Sequence, residues 1–282
     1  MNNTSEVNWN NLYNGPLKDV FIDLEQAFHQ AGIDYYIIGA QARDIWLGRP
    51  ARGTETKDLD LAILVGGKED YEQIRQHLMS SNGFHPLRDN YYAYRSPAGV
   101  QVDILPFGGM NFDEPVTAAA VTRLPVNALQ EVYDQGTTVI EPDHGALFKV
   151  ATLPSIMLLK LIAYDDRPEN RIKDVGDIVR IIQQYASIES DYIYEHHNDL
   201  FDPDRTPIRW TTNNDLSCIV LGREINRIIE KNDALKSRTT RIIADFIARN
   251  ADSPFVREMS RITNLPVSEM VYWLSLIDRT RV

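Results

Sequence analysis

The chain has 282 residues, 43% of them apolar and 24% charged, with a formal net charge of −11 and a single cysteine. That apolar content suffices for a sizeable core. The lone Cys218 excludes an internal disulfide framework and suits a reducing compartment, so a cytoplasmic location is expected. No run of about 18 apolar residues and no basic-then-apolar leader occurs, so neither a membrane span nor a signal peptide is expected.

The first dozen or so residues are polar, and a helix is expected over 17–31, with Val20, Leu24 and Phe28 on one face. Asp34 to Ile38 reads as a short strand, followed by a Gly39-Ala40 turn and a helix from Gln41 to about Leu47. Residues 57–65 read as a strand and 68–80 as a helix with Tyr71, Ile74 and Leu78 as its apolar stripe. The stretch 84–140 reads as strand-rich with loops; within it, Tyr91 to Arg95 and Val100 to Leu105 form a hairpin across Pro97-Ala98-Gly99.

From Pro154 onward the pattern is helical. Asn198 to Asn214, with two prolines and several Asp and Thr residues, reads as a linker. Helices near 215–232, 234–250, 254–262 and 268–278 follow, the last two resembling a helix-turn-helix, with Tyr272, Trp273 and Leu276 read as core. A packing hairpin and a DNA-binding element are its two readings. The chain thus divides into an α/β portion, residues 1–150, and a helical portion, 151–282.

Charge is uneven between them. Residues 1–150 carry 11 Lys and Arg against 20 Asp and Glu, and residues 151–282 carry 18 against 20. An acidic first half does not look like a general nucleic-acid binder, but it suits carboxylates meant to be occupied by cations. Arg223, Arg227 and Lys231, at helical spacing of four, form a basic stripe that reads as a solvated helix face or an RNA backbone contact.

The run Thr56-Lys57-Asp58-Leu59-Asp60-Leu61 carries the chemistry. In a strand, residues i and i+2 share a face, about 6.5–7 Å apart. Asp58 and Asp60 therefore project together while Leu59, Leu61 and Ile63 face a core. Packing gives no reason to join two repelling carboxylates. A divalent cation would, because Mg²⁺ or Mn²⁺ takes hard oxygen ligands. Upstream, strand, Gly39-Ala40 and helix N-terminus make a place where backbone N–H groups and the helix dipole receive a phosphate. Downstream, Asp103 breaks the apolar pattern of its strand, and the hairpin can place it beside the first two aspartates.

Ile38-Gly39-Ala40, Asp58-Leu59-Asp60 and Asp103 together resemble the nucleotidyltransferase superfamily of the DNA polymerase β type. Arg52-Gly53-Thr54-Glu55-Thr56-Lys57-Asp58, two residues longer than the usual run, with Lys160 and Arg171-Ile172-Lys173-Asp174-Val175-Gly176-Asp177, is similar to the AbiEii/AbiGii-type toxins. Over residues 30 to 185 the resemblance implies an α/β (α+β) nucleotidyltransferase-type mixed sheet flanked by helices, then a C-terminal helical domain. It implies transfer of a nucleoside monophosphate from an NTP to an acceptor hydroxyl, with two metal ions held by Asp58, Asp60 and Asp103. Gly39 and Ala40 would cradle the β and γ phosphates; Ala40 replaces a usual Gly or Ser and offers only its N–H. Lys160 is the first candidate to balance the pyrophosphate, with Arg43 and Lys57 after it; a lysine snorkelling to the surface is its structural alternative. Asp174 and Asp177 share a helix face, either as partners of Arg171 and Arg180 or within a helix that closes the nucleotide site and holds Lys160 or Lys173. The resemblance implies the toxin of a toxin–antitoxin or phage-defence pair, with an antitoxin partner and an RNA or protein acceptor. A small-molecule, aminoglycoside-like acceptor and a non-catalytic nucleotide-binding module of the same fold are the alternatives.

Overall fold

The computed structural model describes residues 16–48, 58–88, 90–109, 126–140, 147–202, 204–205 and 210–279. The chain divides into two compact units, with the break between Thr152 and Leu153.

In the first unit the elements are α1 (Pro16–Ala31), β1 (Tyr35–Ile37), α2 (Gly39–Leu47), β2 (Asp58–Val65), α3 (Lys68–Ser81), β3 (His85–Leu87), β4 (Asn90–Arg95), β5 (Gln101–Gly108), α4 (Val126–Gln135), β6 (Thr137–Ile140) and β7 (Phe148–Ala151). The strands form one mixed sheet in the order β3-β4-β5-β2-β1-β7-β6. The β2/β5 and β1/β7 ladders are parallel and the others antiparallel.

Alternation along the strands decides what each face carries. Leu59, Leu61 and Ile63 of β2 and Val102 and Ile104 of β5 are fully buried on one face. The helices α1 and α3 cover it: Phe28 packs against Tyr35 with ring centroids 5.2 Å apart, and Tyr71 Oη donates to the Ile104 carbonyl at 3.2 Å. On the opposite face, α4 covers the C-terminal ends of the same strands. Tyr36 Oη donates to Leu129 O at 2.8 Å, and Tyr133 meets Phe107 at 5.3 Å. The N-terminal ends of β2 and β5 on that face keep side chains that are half-buried or exposed.

Two elements depart from the sequence expectation. The stretch read as strands and loops contains helix α4, whose Ala128, Leu129 and Val132 form a short buried stripe. The strand β7, only four residues long, sits beside β1 inside the sheet. In addition α2 starts at Gly39 itself rather than at Gln41.

The second unit is helical: α5 (Leu153–Asp166), α6 (Ile172–Ile188), α7 (Ser190–His196), α8 (Asn213–Ile228), α9 (Asp233–Arg249), α10 (Pro254–Thr263) and α11 (Val267–Arg279), with short 3₁₀ turns at 198–201 and 250–252. Three of its helix starts, those of α8, α9 and α10, are capped by side chains of their own sequence. Thr212 and Asp215 form a reciprocal capping box on α8, and Asn232 and Ser253 cap α9 and α10. Asn264, in the left-handed region at φ 55°, ends α10 and turns the chain into α11. Among the described residues, no helix is long and apolar enough to cross a membrane.

The linker read over 198–214 falls within the helical unit, and described residues of it are held by side-chain contacts. Arg223 makes two bonds to Asp199, at 2.7 and 2.8 Å, and Trp210 Nε1 donates to Leu200 O at 3.0 Å. The basic stripe is largely neutralised, since Arg223 is spent on Asp199 and Arg227 pairs with Glu224 at 2.8 Å. Tyr272 is 37% exposed, so it lies outside the core that holds Trp273 and Leu276. Cys218 is fully buried on α8, and burial pushes its thiol well above the usual range, which makes it an inert packing residue.

Candidate active site

The parallel β2/β5 ladder sets Asp58 opposite Gln101 and Asp60 opposite Asp103. Register partners in a ladder point to the same face, and neighbouring strands lie about 4.8 Å apart. The three aspartates therefore share one face of the two central strands, two residues apart along β2 and one strand apart across to β5. Asp58 is exposed, and Asp60 and Asp103 are half-buried. Crossing β5 to β4, Gln101 stands opposite Arg95 and Asp103 opposite Ala93.

The helix α2 starts at this point. Ile38 N donates to Asp60 O at 3.0 Å, which brings Gly39 over the Asp60 side chain. Gly39 has φ +66°, and a Cβ placed on it would lie 2.8 Å from Asp60 Cγ and overlap the carboxylate. A glycine is required on two counts: left-handed backbone and close approach of an acidic side chain. The Asp60 carboxylate thus lies against the first residue of a nine-residue helix, where the helix dipole favours negative charge.

Gln101 was not singled out by the sequence. Its Nε2 donates to Asp103 Oδ1 at 3.1 Å. Its position two residues before Asp103 on a strand is the signal that would have found it, because that spacing puts it on the same face.

The donor set is chemically coherent. It consists of carboxylate oxygens on an incompletely covered face, the hard donors that Mg²⁺ and Mn²⁺ prefer. Among the described residues, no three His, Cys, Asp or Glu side chains close into a cage able to enclose a metal ion by themselves. Mg²⁺ usually keeps several waters and is held by one or two carboxylates together with substrate phosphates rather than by an all-protein cage, so the spread set fits it.

The other expected residues are placed as follows. Ala40 follows Gly39 in the first turn of α2 and is half-buried. Arg43 is buried on α2 and pairs with its neighbour Asp44, Nε to Oδ1 at 2.8 Å and Nη2 to Oδ1 at 2.6 Å. Lys57 lies outside the described residues, as does the run from Arg52 to Thr56.

Lys160 and Asp174 lie in the second unit. Helix α5 buries most of its residues, and Lys160 is the charged residue inside its apolar run from Ile156 to Ile162. Its Nζ meets Asp174 Oδ1 at 2.7 Å and Asp177 Oδ2 at 2.6 Å, and only 12% of its side chain is exposed. Arg171 Nη1 stands 3.7 Å from the other Asp174 oxygen. Burial opposes the Lys160 charge, but the two carboxylates outweigh it and the ammonium's pKa is raised above its ordinary value. Lys160 is therefore not a snorkelling surface lysine. Its two ion pairs tie α5 to α6.

No curated protein matches the chain. Among solved structures, it is similar to an antigenic nucleotidyltransferase-like protein from Paracoccidioides brasiliensis, at 17% identity over 69% of this chain and 93% of that one, with a TM-score of 0.40. It is also similar to the antibiotic-resistance factor ANT(2'')-Ia, at 18% identity over 64% and 95% of the two chains, TM-score 0.35. The CCA-adding enzyme of Thermotoga maritima complexed with tRNA matches at 11% identity over 94% and 79%, TM-score 0.31. The family model of the nucleotidyl transferase AbiEii toxin, type IV toxin–antitoxin system, matches residues 44–252, well over half of the chain. The chain belongs to the AbiEii nucleotidyl transferase toxin family.

Proposed function

We propose that this protein transfers a nucleoside monophosphate from an NTP to an acceptor hydroxyl, releasing pyrophosphate, with the chemistry carried by the unit Val7–Thr152. One observation carries the reading: Asp60 and Asp103 are register partners in a parallel ladder, with Asp58 on the same face, beside a glycine that begins a helix. When bound, two Mg²⁺ or Mn²⁺ ions would neutralise the triphosphate and make the acceptor hydroxyl more acidic. Asp58 and Asp60 are the residues to hold both ions, and Asp103 the ion on the acceptor side.

The chain's own groups do the rest. Asp103 takes the proton of the attacking hydroxyl. Gly39 and Ala40 present backbone N–H groups at the start of α2, where the helix dipole favours phosphate. Lys160, held by Asp174 and Asp177, acts as a positioning residue for α5 and α6 rather than as a free partner of the leaving group.

The acceptor is RNA, including tRNA ends, or a protein side chain, and the partner is an antitoxin, in keeping with the toxin–antitoxin character of the family. The acidity of residues 1–150 favours a second reading, a polycationic small-molecule acceptor.

Incubation with each labelled NTP, ATP included, with Mg²⁺ and total RNA or an aminocyclitol, separates these readings. Label on RNA or on protein that disappears in the Asp58→Ala, Asp60→Ala variant supports transfer to a macromolecule. Label confined to the aminocyclitol supports the second reading. Nucleotide binding with no transfer, unchanged when all three aspartates are removed, overturns a metal-centred site and leaves a non-catalytic module.

A further inference from the structure

The geometry points to Gln101 as the positioning residue of the third carboxylate, a role that rests on the metal-centred reading above. A carboxylate can rotate, and Asp103 sits where it would have to serve a metal and a proton at once. Gln101 occupies one of the two positions on β5 that share its face and adjoin it, two residues before it; the other, Leu105, has no donor to offer. Its Nε2–H donates to Asp103 Oδ1 at 3.1 Å. Since an ionised carboxylate only accepts, the amide NH₂ must be the end facing Asp103.

The residue type matters as much as the place. Gln101 is the register partner of Asp58 on one side and of Arg95 on the other, so it sits among Asp58, Asp60 and Asp103 on their common face. A fourth carboxylate there would add repulsion, and an apolar residue would remove this donor from Asp103 Oδ1. A neutral donor long enough to reach two residues along its own strand satisfies both demands. Gln101 is half-buried and the hydrogen bond partly shielded, so it is stronger than an exposed one. Residues that orient ligating carboxylates in this way commonly cost 10- to 100-fold in metal affinity or activity when changed.

The test is a double-mutant cycle read by Mn²⁺ binding to the full chain, with transfer activity as the second readout. Gln101→Leu removes the donor at similar volume and is expected to weaken Mn²⁺ affinity about tenfold and lower kcat about 10- to 100-fold, with KM for the NTP nearly unchanged. In an Asp103→Asn background the same substitution is expected to have no further effect, because Gln101 acts through Asp103. A folded Gln101→Leu protein with wild-type Mn²⁺ affinity, while Asp103→Asn loses it, overturns the role of Gln101 alone. Full additivity of the two substitutions does the same. Unchanged Mn²⁺ binding in Asp103→Asn overturns the metal-centred reading itself, and the role of Gln101 with it.

Discussion

Asp60 and Asp103 face each other across the parallel β2/β5 ladder, on a side of the sheet that packing helices leave partly open. Like charges in adjacent register repel, so the pair lowers stability unless something else is bound there. Asp103→Asn relieves the repulsion at nearly constant volume. Transfer is expected to fall by at least about a hundredfold, while the protein stays as stable as wild type or gains roughly 0.5 kcal/mol. Parallel activity assays and urea melts check this. A clear loss of stability would mean that Asp103 serves the fold.

Gly39→Ala brings a Cβ onto the Asp60 carboxylate at a backbone position with φ +66°. The expected loss is about 1–3 kcal/mol, from left-handed strain and displacement of the carboxylate together. Adding Asp60→Ala removes the overlap and not the strain, so it should restore only part of the stability. Denaturant melts of the single and double variants decide this, and a Gly39→Ala protein as stable as wild type contradicts it.

Lys160→Met leaves Asp174 and Asp177 facing each other with their shared cation gone. Removing one partner of a buried ion pair strands charge in a poorly hydrated place, at an expected cost of about 2–4 kcal/mol. The triple variant with Asp174→Asn and Asp177→Asn should recover most of that. If the single variant loses activity with an unchanged melt, Lys160 acts on substrate instead of on α5 and α6.

Acid lability should centre on Glu224. Burial opposes its charge, but hydrogen bonds from His197 and Arg227 prevail and hold its carboxyl at about 2, against an ordinary 4.5. A folded-state value below the unfolded one stabilises above pH 4.5, and that contribution fades as pH falls from about 4.5 toward 2. Its upper size is roughly 3 kcal/mol. Glu189, raised by burial and by the Glu224 carboxylate beside it, works in the opposite direction. Glu224→Gln should be less stable near neutral pH and show a flatter acid limb. Melts between pH 2 and 7 test the slope.

The aspartate pair of β2 was legible because a strand has a period of two, which fixes a shared face without any knowledge of neighbours. Where Asp103 would land was only partly legible. The hairpin of β4 and β5 could be read from its turn, but a parallel ladder between β5 and β2 joins segments separated by a helix and two strands, and no local pattern sets that register. Gln101 escaped notice because a glutamine on a half-buried strand is unremarkable until its neighbour's role is fixed.

Short or amphipathic pieces were the least legible. Helix α4 buries only a narrow stripe, and the four residues of β7 cannot show a period. In the helical unit, the shared face of Asp174 and Asp177 was readable from their spacing, whereas Lys160 entered as one of two possible partners only through the family resemblance. The arginines 223 and 227 looked like a free basic stripe because their acids lie either far along the chain or within the same turn.

The placement of β1 between β2 and β7 has a consequence for synthesis. While the polypeptide is still leaving the ribosome, Asp58 and Asp60 exist long before Asp103, and one edge of β1 stays bare until residues 148–151 arrive to pair with it. Prematurely terminated products that stop short of β7 cannot complete the sheet.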